Sequence, residues 1–221
     1  MTLTMLGVFL VHVLLGLPLF IALLTTALVG FLFIDFSMVP RMMPQQFFSG
    51  INVFSLMAIP LFILAGNLMN ASRLTDRLMG LARLLVGHFR GGMGHVNVVS
   101  SVFFAGVNGS AVADTSALGS LLVPAMRKDG YSTAFAAGLT AGSSLIGPII
   151  PPSIFMILYA SLTNTSVGDL FLAGVIPGLI LGVAFMAMNA WYAWRHDMPK
   201  QGGLPSARAL GVATLGALPA L

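Results

Sequence analysis

The chain reads as an all-α integral membrane protein with a re-entrant helical hairpin and a broken transmembrane helix. Three observations carry that reading. First, 57% of the 221 residues are hydrophobic and 7% are charged, against about 25% charged in a soluble domain, and the mean hydropathy is +0.98. Second, two consecutive apolar tracts hold helix breakers at their middles. The first runs from Ser100 to Met126 (SSVFFAGVNGSAVADTSALGSLLVPAM) and holds Gly106, Asn108, Gly109, Ser110 and Asp114; the second runs from Thr140 to Leu162 (TAGSSLIGPIIPPSIFMILYASL) and holds Gly147, Pro148, Pro151 and Pro152. Third, the basic residues sit in short segments between apolar tracts, where cytoplasmic loops carry them. Irregular backbone at mid-membrane survives only where it is buried in protein or lines a polar cavity. Paired discontinuous helices are the usual ion and substrate sites of secondary transporters.

The elements follow in order. Residues 1–34 are apolar but interrupted at Gly16-Leu17-Pro18. One helix of that length would be roughly 50 Å long against about 30 Å of hydrocarbon, so it is either strongly tilted or folds back as two short helices. Residues 35–52, with Pro40 and Pro44, suit an interfacial stretch. Residues 53–70 are long enough to span, with Pro60 as a kink. Across 71–92, Arg73, Arg77, Arg83 and Arg90 surround Leu74, Leu78, Leu81, Leu84 and Leu85. Leucines at that spacing make one apolar helical face, which predicts an amphipathic helix lying on the cytoplasmic membrane surface.

The tract 95–126 has basic residues at both feet, Arg90 before it and Arg127-Lys128 after it. It therefore enters and leaves on one side as a hairpin with its tip at Asn108-Gly109-Ser110, each arm about a dozen residues long. Residues 132–163 cross outward through the break at 147–152. The loop NTSVGD at 164–169 has no basic residue, and 170–194 cross back to an aromatic belt of Trp191, Tyr192 and Trp194. Residues 195–208 form a polar cytoplasmic linker. Residues 209–221 begin a helix that stops before it could span, which reads as a truncated chain. The domain expectation is N-terminal helices with the amphipathic helix over 1–92, the hairpin, the broken helix and the helix after it over 93–194, the linker over 195–208, and the start of a further helix over 209–221.

Chemistry concentrates at the two breaks. At the hairpin tip, the end of the ingoing arm exposes unpaired carbonyls and the start of the return arm exposes unpaired N–H groups. Those carbonyls, with the Asn108 amide oxygen and the Ser110 hydroxyl, can replace the water shell of a small cation such as sodium. The N–H end suits a substrate carboxylate. Asp114 is the one acid deep in an apolar tract; it reads equally as an ion-linked group and as a structural cap on its own helix. In the second break, Pro148, Pro151 and Pro152 free carbonyls of the preceding turn, and Ser143, Ser144 and Ser153 supply hydroxyls. That predicts an unwound segment lining a ligand, beyond what a simple proline kink needs.

Composition also excludes. The net charge of +4 is accounted for by the loops and does not argue for nucleic acid. With no cysteine, disulfides and thiolate metal sites are excluded. His12, His88, His95 and His196 lack metal-ligand spacing. No nucleophile triad, phosphate-binding loop or paired carboxylate is present, so no enzyme activity and no ATP hydrolysis by this chain are expected.

The runs FFAGVNGSAVADTSALGSLLVPAM, GYSTAFAAGLTAGSSLIGPIIPPSIFMILYASL and LFLAGVIPGLILG, with IPLFILAGNLMN and RGGMGHVNV before them, resemble the large membrane subunit of TRAP (tripartite ATP-independent periplasmic) transporters. The resemblance covers nearly the whole chain. It implies one inverted-repeat half of an elevator-type transporter in the bacterial inner membrane, importing an organic acid such as a C4-dicarboxylate or a sialic acid. Sodium would be the coupling ion and no other cofactor is implied. The implied partners are a small four-helix membrane subunit and a periplasmic substrate-binding protein. Carried onto this sequence, the sodium-binding candidates are Gly106, Asn108, Ser110, Gly147, Pro148, Ser143 and Asp114. The substrate-binding candidates are Asn108, Gly109, Ser110, Pro151 and Pro152. Family members are about twice this length, so the fragment alone is not expected to transport, and the inverted repeat favours two short helices across Gly16–Pro18. The alternatives are a related carrier without a binding protein, and a non-transporting assembly subunit, which would have no need of mid-membrane breaks.

Overall fold

The computed structural model describes residues 1–72, 74–200, 203 and 205–217, with the side chains of residues 54, 55, 69, 70, 75, 106–108 and 207 outside that description. Arg73, assigned above to the amphipathic helix, is therefore outside it. All regular elements among the described residues are helices, and they form two compact units, Met1–Val53 and Phe54–Leu221.

In the first unit, α1 (Thr2–Leu14) and α2 (Leu19–Leu32) pack against each other. Gly16 turns the chain at φ +72° and the Leu17 amide donates to the His12 carbonyl, while Pro18 caps the start of α2. The alternative of two short helices is the one adopted. α3 (Val39–Ile51) follows a 3₁₀ turn opened by Asp35, whose carboxylate accepts from the Ser37 amide at 2.9 Å.

The second unit is built around α6 (Gly92–Asn108), which packs on α4 (Ala58–Ala71), α5 (Leu74–Val86), α7 (Ala111–Lys128), α8 (Thr133–Ser144) and α10 (Val167–Arg195). α9 (Ile154–Thr163) packs on α10, and α11 (Ala207–Ala217) on α5. Val96, Val98 and Phe104 of α6, Leu118, Leu122 and Met126 of α7, and Ala136 and Leu139 of α8 make the core. The amphipathic helix differs from the sequence reading. Its apolar residues Leu78, Leu81, Ala82 and Val86 are buried, and α5 packs on α6 and α11. Protein takes the face that periodicity alone assigned to the membrane surface, because a leucine stripe is satisfied by any apolar partner.

The arms of the hairpin are also longer than expected, 17 and 18 residues, or roughly 26 Å each. Their length is close to the hydrocarbon thickness, so it does not by itself separate a re-entrant from a crossing hairpin. α10 is the one helix among the described residues that is long and apolar enough to cross a membrane. Its buried residues Gly174, Gly178, Gly182, Asn189 and Ala193 lie along one stripe, where small side chains let helices approach closely. Leu172, Ile176, Leu179, Ile180 and Val183 are exposed, an apolar face of the kind that lipid covers.

Candidate functional site

The two breaks touch. α6 ends at Asn108, Gly109 adopts φ +55°, and Ser110 caps α7, its hydroxyl accepting from the Ala113 amide at 3.4 Å. After Ser144 the α8 backbone tightens: the amides of Leu145, Ile146 and Gly147 bond carbonyls three residues back. The chain leaves helical geometry until Ser153 caps α9, and the Pro151–Pro152 peptide is cis. Ser153 fastens this segment: its hydroxyl donates to the Pro148 carbonyl at 2.6 Å and accepts from the Met156 amide at 3.3 Å.

Two glycines show how close the breaks lie. A Cβ on Gly109 would stand 2.8 Å from the Pro152 carbonyl oxygen and 3.3 Å from the Ile154 amide nitrogen. A Cβ on Gly147 would stand 2.8 Å from Asp114 Oδ2 and 3.8 Å from the Ala111 amide nitrogen. The tip glycine thus sits on the second break, and the glycine of the second break sits on the first turn of α7. The N-termini of α7 and α9 meet at this junction, and both carry amides left unpaired by helix geometry. Such ends attract an anion, while buried carbonyls and carboxylate oxygens attract a cation.

Of the candidates, the structure brings Gly109, Asp114, Gly147 and Pro152 together directly. Ser110 caps the adjoining helix, and Pro148 and Pro151 lie in the segment that closes the junction. Asp114 is buried at 0% exposure in the first turn of α7. The side chains at Gly106 and Asn108 lie outside the described residues; their backbone forms the last turn of α6. Ser143 is engaged elsewhere. Its hydroxyl is 2.9 Å from the Ser101 hydroxyl, 3.2 Å from the Thr140 carbonyl and 3.4 Å from Asn97 Oδ1.

That contact exposes residues the sequence reading missed. Asn97, Ser101 and Thr140 are buried between α6 and α8 with Ser143 and Ser144, both already singled out. Asn97 Nδ2 donates to Thr140 Oγ1 at 2.6 Å and to Met126 Sδ at 3.2 Å, and Ser144 donates to the Thr140 carbonyl. The available signal was periodic: polar residues at 97 and 101 share a face of α6, as do 140, 143 and 144 on α8. A second buried knot holds the other end of the hairpin. The single Tyr131 hydroxyl proton lies between two acceptors, the Gly91 carbonyl at 2.7 Å and Asn189 Oδ1 at 2.9 Å, and Asn189 Nδ2 donates to the same Gly91 carbonyl. Burial pushes the Tyr131 phenol up to about 12.

An apolar, all-helical chain of this kind belongs to the class of α-helical membrane proteins. The particular family is shown by comparison: residues 6–221 match the family model for the tripartite ATP-independent periplasmic transporter, DctM component, and the chain belongs to that family. It is 45% identical over 174 residues to the sialic acid TRAP transporter large permease protein SiaM of Vibrio cholerae, covering 79% of this chain and 40% of that protein. It is 47% identical over 147 residues to the sialic acid TRAP transporter permease protein SiaT of Haemophilus influenzae, covering 66% and 24%. It is 42% identical over 196 residues to the 2,3-diketo-L-gulonate TRAP transporter large permease protein YiaN of Escherichia coli, covering 89% and 46%. The chain spans less than half the length of these relatives, which are transport permeases and not enzymes.

Proposed function

We propose that this chain supplies one half of the translocation site of a sodium-coupled importer of organic acids in the bacterial inner membrane. The observation that carries the reading is the contact between the hairpin tip and the interrupted helix, Gly109 against Pro152 and Gly147 against Asp114. A coupled carrier needs a cation and an anion bound side by side, so that each lowers the cost of burying the other. The junction supplies both chemistries. Carbonyls at the end of α6, with Asn108, Ser110, Gly147, Pro148, Asp114 and Ser143 around them, suit sodium. The converging starts of α7 and α9, with Gly109, Pro151 and Pro152 keeping the backbone open, suit a carboxylate.

In this reading α6–α7 is a re-entrant hairpin, α8–α9 is a broken transmembrane helix, and the two move together as an elevator against the remaining helices. The names of two of these relatives include sialic acid and diketogulonate, both carboxylates, which favours an organic acid as cargo. Delivery by a periplasmic binding protein and assembly with a small membrane subunit belong to the same proposal.

The test is uptake into liposomes by the transporter assembled from this chain and the products of its neighbouring genes. Candidate carboxylates are offered on the binding protein, with and without an inward sodium gradient. Sodium-dependent uptake that Ser110→Ala reduces at least about 10-fold is the expected result. Uptake indifferent to both sodium and Ser110 would remove the coupling and the tip from the proposal.

A further inference from the structure

Asn97 bonds across three helices, and neither break contains it. Its amide nitrogen reaches Thr140 on α8 and Met126 on α7, and its amide oxygen faces Ser143 on α8. All of these residues are buried. From this geometry we infer that Asn97 is a positioning residue: it bolts both hairpin arms to α8 so that tip and interrupted helix keep one register, and it orients the Ser143 hydroxyl. The inference deepens the proposed sodium coupling and rests on it for its transport consequence.

The proton accounting supports the role. A hydroxyl has one proton and two lone pairs. Thr140 spends its proton on the Ala136 carbonyl, so it accepts from Asn97. Ser144 spends its proton on the Thr140 carbonyl. Ser101 and Ser143 share a contact; Ser101 has the Asn97 backbone carbonyl as a further acceptor, and Ser143 has the Thr140 carbonyl at 3.2 Å and Asn97 Oδ1 at 3.4 Å. Every hydroxyl proton of the cluster therefore has an acceptor within it, and what remains is lone pairs. A cation ligand must present lone pairs, so a network that ties down the Ser143 proton readies that residue for sodium. Supporting bonds of this kind set the affinity of a metal site without touching the ion.

Rigidity follows as well. Groups in a low-dielectric interior lose a full desolvation cost when a partner is removed. Sliding α8 along α6 would strand the Asn97 amide, so the hairpin and the first half of the interrupted helix move as one body.

The experiment compares wild type, Asn97→Leu, Thr140→Val and Thr140→Ser, and reads two quantities. The first is the sodium dependence of uptake in the reconstituted transporter. The half-saturating sodium concentration is expected to rise about 10-fold in Asn97→Leu and in Thr140→Val, with the maximal rate held within about 2-fold, and Thr140→Ser should restore it. The double variant should be no worse than either single one, because both remove the same bond. The second is amide hydrogen exchange of the chain in lipid nanodiscs, where Asn97→Leu should speed exchange over 92–108 and 133–144 together. An unchanged half-saturation, a Thr140→Ser as poor as Thr140→Val, or faster exchange confined to 92–108 would overturn the inference. Wild-type uptake indifferent to sodium, with the two segments still coupled in exchange, would instead sink the proposed coupling and leave the one-body inference standing. Should Asn97→Leu fail to fold, the Thr140 pair carries both readouts.

Discussion

Gly109 shows how much one residue decides at the smallest scale. Its positive φ already disfavours a side chain, and the Pro152 carbonyl occupies the space a methyl group would need. Gly109→Ala is expected to destabilise the chain by at least about 1–2 kcal/mol, the cost of left-handed backbone in an L-residue, before crowding is added. Gly119→Ala is the control. Gly119 lies within α7 with its nearest neighbour, Thr140 Cγ2, at 3.9 Å from the new methyl, so it should be neutral or stabilise by up to about 1 kcal/mol. Thermal unfolding of the purified variants in one detergent reads both. The sequence singled out Gly109 as a tip residue. It could not show that the residue facing it is Pro152, forty-odd positions later, because that pairing comes from packing α7 on α8.

Tyr131 governs how an element is held. It joins the turn before α8 to Gly91 at the start of α6 and to Asn189 on α10, and its ring stacks with Phe135 and Tyr192. Tyr131→Phe keeps the stack and leaves the Gly91 carbonyl its bond from Asn189 Nδ2, but strands Asn189 Oδ1, which should cost about 1–3 kcal/mol in thermal unfolding. The pH dependence has a definite sign. The free phenol titrates near 10.0 and the folded one at about 12, so the folded state holds its proton where the unfolded state releases it. The Tyr131 contribution is complete below pH 10 and declines as pH rises toward 12. Unfolding midpoints measured from pH 9 to 12 should fall more steeply for wild type than for Tyr131→Phe; parallel curves would contradict the assignment. No local pattern marks this knot, since a tyrosine after a basic turn reads as an interfacial anchor. α5 shows the same limit, its leucine stripe being visible in the sequence and its partners α6 and α11 not.

For the whole molecule, the decisive relation is which segments face the same side of the membrane. Two helices joined by a two-residue turn and packed on each other return to the side they left. Phe89 and Lys128 should therefore be on one side and Thr165 on the other. The chain has no cysteine, so single replacements at these exposed positions can be labelled without background. A membrane-impermeant thiol reagent applied to intact cells is expected to label Thr165→Cys, and to reach Phe89→Cys and Lys128→Cys only after the membrane is opened. Labelling of Lys128→Cys and Phe89→Cys from opposite sides would exclude the hairpin.

The amino-acid sequence by itself determined the apolar, helical character of this protein, the interruption at Gly16–Pro18, the hairpin tip at Gly109-Ser110 and the loss of helix around Gly147 to Pro152. Each follows from local physics: hydropathy over a window, the conformational range of glycine, and the missing amide of proline. Tertiary structure alone decided that the two breaks abut, that Ser143 bonds Ser101 and Asn97, and that Tyr131 and Asn189 close on Gly91. Those contacts join residues from 33 (Asp114 to Gly147) to 98 (Gly91 to Asn189) positions apart. A helical pattern states which face of an element is polar or apolar, and only the packing of several helices around α6 selects which faces meet.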